Sequence, residues 1–133
     1  MTIGLLIVTH ENIGNALIES ATTTLGMCPM ALEVIAVTTG CDPDCLLETS
    51  LAALKRLDKG RGVLVLTDMY GSTPSNVANR LCGLERVAVV AGVNLPMLIR
   101  VLNYPDLGLD ELAQKAMSGG RDGIFVCERG EGH

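Results

Sequence analysis

Ile3-Gly4-Leu5-Leu6-Ile7-Val8-Thr9-His10 is an almost unbroken apolar run that stops on an imidazole. Directly after it, Ile13, Ala16, Leu17, Ala21 and Leu25 recur at the spacing of one helical face. A short apolar run followed by a helical period is a strand–helix unit, and the pattern returns along the chain. Apolar runs stand at Leu32–Val37, Val63–Leu66 and Val87–Ala91, with a last one at Ile124–Cys127. The second is followed by Leu47, Leu51 and Leu54, and the third by Val77, Ala78 and Leu81. After the fourth come Leu95, Leu98, Ile99 and Leu102, then Leu109, Leu112, Ala113 and Ala116.

Capping residues stand where this pattern needs helix starts. Asp42-Pro43, Thr73-Pro74 and Asn94-Leu95-Pro96 each put a side-chain oxygen just before a helix-opening Pro. Gly26, Gly60 and Gly83 follow the first three helices, as C-terminal caps do. Alternating strands and helices imply right-handed crossovers and a doubly wound, mainly parallel α/β sheet with helices on both faces. Strands that are apolar throughout fit burial on both sides. Four units give the order 2-1-3-4, and the winding then reverses between strands 1 and 3, where a crevice opens at their carboxyl ends.

The bulk composition agrees with one domain over residues 1–133. At 133 residues, roughly two-thirds of the unfolded chain's surface can be buried. Hydrophobic residues make up 48%, but with only two Tyr, one Phe and no Trp the core is aliphatic. Scarce rings and a net charge of −5 argue against nucleic acid, which needs stacking platforms and clustered cations. No apolar run approaches the ~20 residues that span a bilayer, and the start carries no basic leader, so a cytoplasmic location is expected. Five cysteines, with no scaffold spacing, read as free thiols. Cys41 and Cys45 are too widely spaced for a metal knuckle and have no second ligand pair, so neither metal nor cofactor is expected. The polar tail Glu128–His133 reads as a flexible end, and His133 within it has no assigned role.

The candidate site follows from the topology. His10 lies just beyond the carboxyl end of strand 1 and Asp68 just beyond that of strand 3, on strands about 4.8 Å apart. A carboxylate that accepts one ring N–H fixes the tautomer and leaves the other nitrogen with a free lone pair, suited to act as a nucleophile. The loop Gly71-Ser72-Thr73-Pro74-Ser75-Asn76 then opens a helix whose N–H groups, with the Thr73 hydroxyl, suit phosphoryl oxygens. Neither a dinucleotide fingerprint, a P-loop nor a nucleophile elbow occurs, which disfavours nucleotide-binding and hydrolase readings.

Three segments together carry a family resemblance: Gly4-Leu5-Leu6-Ile7-Val8-Thr9-His10, Asp68-Met69-Tyr70-Gly71-Ser72-Thr73-Pro74-Ser75-Asn76 and Ala91-Gly92-Val93-Asn94-Leu95-Pro96-Met97-Leu98. With Gly120-Arg121-Asp122-Gly123 before the last run, the chain resembles the mannose-family enzyme IIA proteins of the bacterial phosphoenolpyruvate-dependent sugar phosphotransferase system. The donor subunit of dihydroxyacetone kinases resembles the same fold less closely in these segments. The resemblance implies that His10 accepts phosphoryl from the phosphocarrier protein HPr and donates it to a sugar-specific IIB component. Through IIB it would serve a membrane IIC/IID complex, with a peripheral location there. It implies that Asp68 orients His10 and that Thr73, with Ser72 and Gly71, meets the phosphoryl group. It further implies a homodimer in which the last strand joins the partner's sheet, antiparallel to the others. A regulatory member of the same family, sensing phosphorylation state without transporting sugar, is the alternative. Two positions depart from the family pattern. Glu11 stands where Gly often follows the active His, and Ser72 where a second Gly often precedes Ser/Thr-Pro.

Overall fold

A computed structural model describes residues 2–129 of the chain. Four strands, β1 (Gly4–His10), β2 (Leu32–Val37), β3 (Val63–Thr67) and β4 (Val87–Ala91), form one parallel sheet in the order β2-β1-β3-β4. Between and after them run α1 (Ile13–Leu25), α2 (Pro43–Leu57), α3 (Thr73–Asn79), α4 (Leu95–Leu102) and α5 (Leu109–Asp122). The predicted order and winding are therefore those observed.

Each face of the sheet is closed by its own helices. Alternate side chains of the central strands, Leu5, Ile7, Leu64 and Leu66, pack with Ala21 of α1, Leu98 and Val101 of α4, and Leu112 and Ala116 of α5. The intervening set, Leu6, Val8, Val63 and Val65, packs with Leu54 and Leu57 of α2 and Val77 and Ala78 of α3. Both sets on β1 and β3 are fully buried, which explains their near-continuous apolar reading.

The helix starts at Asp42 and Asn94 are as expected. Asp42 Oδ1 accepts the Asp44 N–H at 3.0 Å, and Asn94 Oδ1 accepts the Met97 N–H at 2.9 Å. The third start is displaced by one residue. Ser72, not Thr73, caps α3, its hydroxyl accepting the Ser75 N–H, and Pro74 takes the second helical position. Of the three glycines, Gly26 (φ 77°) is the left-handed cap of α1, but α2 is capped at Asp58 and α3 at Arg80. Gly60 and Gly83 instead turn the following loops, at φ 106° and 93°.

The fifth apolar run is not a strand within this chain. Ile124–Cys127 leaves α5 without regular structure, and Ile124, Phe125 and Val126 are 75%, 73% and 87% exposed. Among the described residues it pairs with no strand, and β4, at the sheet edge, pairs only with β3. Of the predicted flexible tail, Glu128 and Arg129 are exposed and residues 130–133 lie outside the described residues.

Candidate functional site

The site is made where β1 outruns β3. Their register pairs Val8 with Thr67, so β1 continues for Thr9 and His10 while β3 has already ended. Those two extra residues pair instead with Ala36 and Val37 of β2. Asp68, the first residue past β3, can then turn back beneath the end of β1.

It does so with both oxygens occupied. Asp68 Oδ2 accepts the His10 backbone N–H at 3.1 Å and lies 2.9 Å from His10 Nδ1, while Oδ1 accepts the Met69 N–H at 2.9 Å. The carboxylate side chain is 11% exposed and the imidazole 40% exposed. Burial of Asp68 works against its charged form, but the hydrogen bonds from the His10 ring, the His10 amide and the Met69 amide prevail and hold its pKa below the ordinary value. A carboxylate kept ionised takes the Nδ1 proton as its hydrogen bond, so Nε2 carries the free lone pair.

The turn from β1 into α1 is set by close packing. The buried Thr9 hydroxyl accepts the Gly14 N–H at 2.8 Å. A Cβ at Gly14 would stand 2.9 Å from Thr9 Oγ1 and 2.9 Å from Val34 Cγ1, so only glycine lets α1 sit this low on the sheet. Between them Glu11 adopts φ 43°, in the left-handed region, and its N–H donates to Val37 O at 3.0 Å.

His10 opens on a crevice of about 320 Å³ lined by Glu11, Val37, Thr38, Thr39, Gly40, Cys41 and Thr73. Three predicted residues thus meet at one place: His10 and Asp68 by direct contact, and Thr73 in the lining of the same crevice. Ser72 and Gly71 belong to the loop behind it. The Ser72 hydroxyl donates to Met69 O and caps α3, and the Gly71 N–H donates to Ser75 Oγ at 3.3 Å. Sequence reasoning missed the wall from Thr38 to Cys41, where Thr38 Oγ1 and Cys41 Sγ lie 3.0 Å apart. The signal was present, because this loop leaves the carboxyl end of β2, the strand paired with His10 itself. Beside the site Met69 and Tyr70 are 59% and 76% exposed.

The chain is similar to several known proteins. The family described as "PTS system fructose IIA component" matches residues 4–117. The mannose-specific EIIAB component of Escherichia coli is 36% identical over 127 residues, covering 93% of this chain and 39% of that protein. The chain therefore spans about two-fifths of the length of the curated relatives it matches first. A transcriptional regulatory protein of Bacillus subtilis is 30% identical over 133 residues, covering 96% of this chain and 14% of its own length. Among solved structures, the mannose/sorbose-specific IIA subunit from Enterococcus faecalis superimposes with a TM-score of 0.87 at 27% identity, covering 98% of both chains. With the sheet order, the paired His10 and Asp68 and a family match over residues 4–117, this chain belongs to the mannose/fructose-type IIA proteins of the sugar phosphotransferase system.

Proposed function

We propose that the chain is a phosphoryl carrier, taking a phosphoryl group from phospho-HPr onto His10 Nε2 and passing it to a IIB component during sugar uptake. The observation that carries this reading is the 2.9 Å contact between His10 Nδ1 and Asp68, which leaves the second ring nitrogen as the nucleophile beside an open crevice. As the lone pair of Nε2 forms its bond to phosphorus, the bond from phosphorus to the donor breaks. The ring gains positive charge, and the ionised Asp68 stabilises it. Thr73, in the crevice lining, supplies a hydroxyl donor, and Ser72 and Gly71 hold the loop that carries it. Such transfer needs alignment and charge stabilisation more than covalent chemistry from the protein.

On this reading the donor and acceptor are other proteins, and the reaction takes place at the cytoplasmic face. Among the described residues no helix is long and apolar enough to cross a membrane, which suits a carrier acting beside a permease. We further propose that Ile124, Phe125 and Val126 are covered by a second copy of the chain, as their exposure favours.

Incubation with phosphoenolpyruvate, enzyme I and HPr is expected to give an acid-labile, alkali-stable phosphoprotein, and His10→Ala to give none. Undiminished labelling of that variant would sink the proposal. The similarity to a transcriptional regulator favours a second reading, in which the same phosphorylation alters binding to a target protein. Adding a IIB domain separates the two: a carrier's label drains to IIB, and a sensor's label stays.

A further inference from the structure

Glu11 combines three features. It follows His10 directly, it is one of the residues lining the same crevice, and its backbone holds φ 43° although it carries a Cβ. Positive φ is disfavoured for such a residue, and strain of this kind marks places where function holds a side chain in position. The surroundings sharpen the point. None of the residues lining the crevice is Lys or Arg, and Glu11 is the only carboxylate among them. A phosphoryl group entering there brings negative charge toward a carboxylate and finds no lining cation to offset it. Phosphoryl transfer nonetheless depends on positive charge near the transferring oxygens.

We propose that Glu11 is a specificity-determining residue of the phosphoryl crevice, opposing free anionic phosphoryl donors and admitting protein partners that bring a cationic side chain to the crevice mouth. The inference rests on the carrier reading of His10. The cation serves both groups: it pairs with Glu11 on docking and lies against the phosphoryl oxygens during transfer. A small anionic donor has no such side chain and meets only the repulsion. The geometry that fixes Glu11 is independent of any partner, since its amide is tied to Val37 and the next turn to Thr9.

The test compares two donors on the wild-type chain and on Glu11→Gln and Glu11→Asp. One donor is phosphoramidate, whose P–N bond breaks with release of ammonia as the bond to Nε2 forms; the other is phospho-HPr. At low salt Glu11→Gln is expected to raise the phosphoramidate rate and lower the protein-donor rate, each by about two- to tenfold, the range for one charge a few ångströms away. Both differences shrink near 1 M salt, where screening acts over about 3 Å, and Glu11→Asp keeps the wild-type pattern. Unchanged rates with both donors, or a shift in the same direction with both, would overturn the assignment of Glu11 while leaving His10 as the acceptor. Absence of label on wild-type His10 with either donor would instead remove the carrier reading, and this inference with it.

Discussion

Asp68 receives two hydrogen bonds from His10 on a single oxygen, one from the backbone and one from the ring. The first fixes where the imidazole stands and the second fixes its tautomer, so the two functions fail separately. On the carrier reading, Asp68→Asn keeps an acceptor for the amide but loses the charge that would steady a phosphorylated ring. Phosphorylation of this variant is expected to slow by about 10- to 1,000-fold in single-turnover labelling. This is less than the roughly 10⁴-fold loss for the same change in hydrolase triads, because the attacking imidazole here needs no proton removed. The same residue carries a pH signature. Its pKa is held below its ordinary 3.8, so its contribution to stability is complete above that value and fades as pH falls through the folded one. The stability gap between wild type and Asp68→Asn should thus be full at pH 7 and narrow below about pH 4, measured by urea titration. Thr67, one residue earlier, is fully buried and its hydroxyl has no partner among the described residues. Thr67→Val removes that orphan with little change in shape, and is expected to stabilise the fold by about 1 kcal/mol. At this scale His10 and Asp68 were legible because strand ends in a doubly wound sheet point to one place. The Thr67 hydroxyl was not, since nothing in a sequence reports an unmet hydrogen bond.

At the scale of elements, the joints are more specific than the elements they connect. α1 rests on β1 through the Thr9–Gly14 contact, and a Cβ at position 14 would meet atoms at 2.9 Å on two sides. Gly14→Ala is therefore expected to cost about 1–3 kcal/mol, the range for overpacking, and to impair transfer by moving the turn that carries His10 and Glu11. The opposite end of the sheet supplies a control. Asp58 accepts the Gly60 and Gly62 N–H groups at 2.8 and 3.0 Å and the Arg86 side chain at 3.0 Å, tying α2 to the starts of β3 and β4. Asp58→Ala should destabilise by about 1–3 kcal/mol, read as a lower denaturation midpoint, while the labelling rate of the folded fraction stays unchanged. Helix starts at Asp42 and Asn94 were legible because each offers one capping oxygen before Pro. The start of α3 was misplaced by one residue because Ser72 and Thr73 both cap well, and Pro fits either of the first two helical positions. Loop glycines misread as caps have the same origin, since positive φ serves turns and helix ends alike.

For the whole molecule, the sheet order followed from counting strand–helix units and applying one handedness, and the observed order is the same. Periodicity placed a strand at the fifth apolar run, yet that run pairs with no strand among the described residues. The crevice was only half legible for a related reason. Strand order points to the switch between β1 and β3, yet the opening extends over β2 to Thr38 and Cys41, a consequence of register rather than strand order. The exposed Ile124-Phe125-Val126 segment leads to an expectation at this scale, that Phe125→Asp shifts a dimer toward monomer in sedimentation without altering the rate per active site. The central claim, that Asp68 holds Nδ1 and makes Nε2 the phosphoryl acceptor, is tested most directly by nuclear magnetic resonance of the phosphorylated, ¹⁵N-labelled protein. The account predicts phosphorus bonded to Nε2 of His10 with a proton retained on Nδ1; phosphorus on Nδ1, or on any residue other than His10, would contradict it.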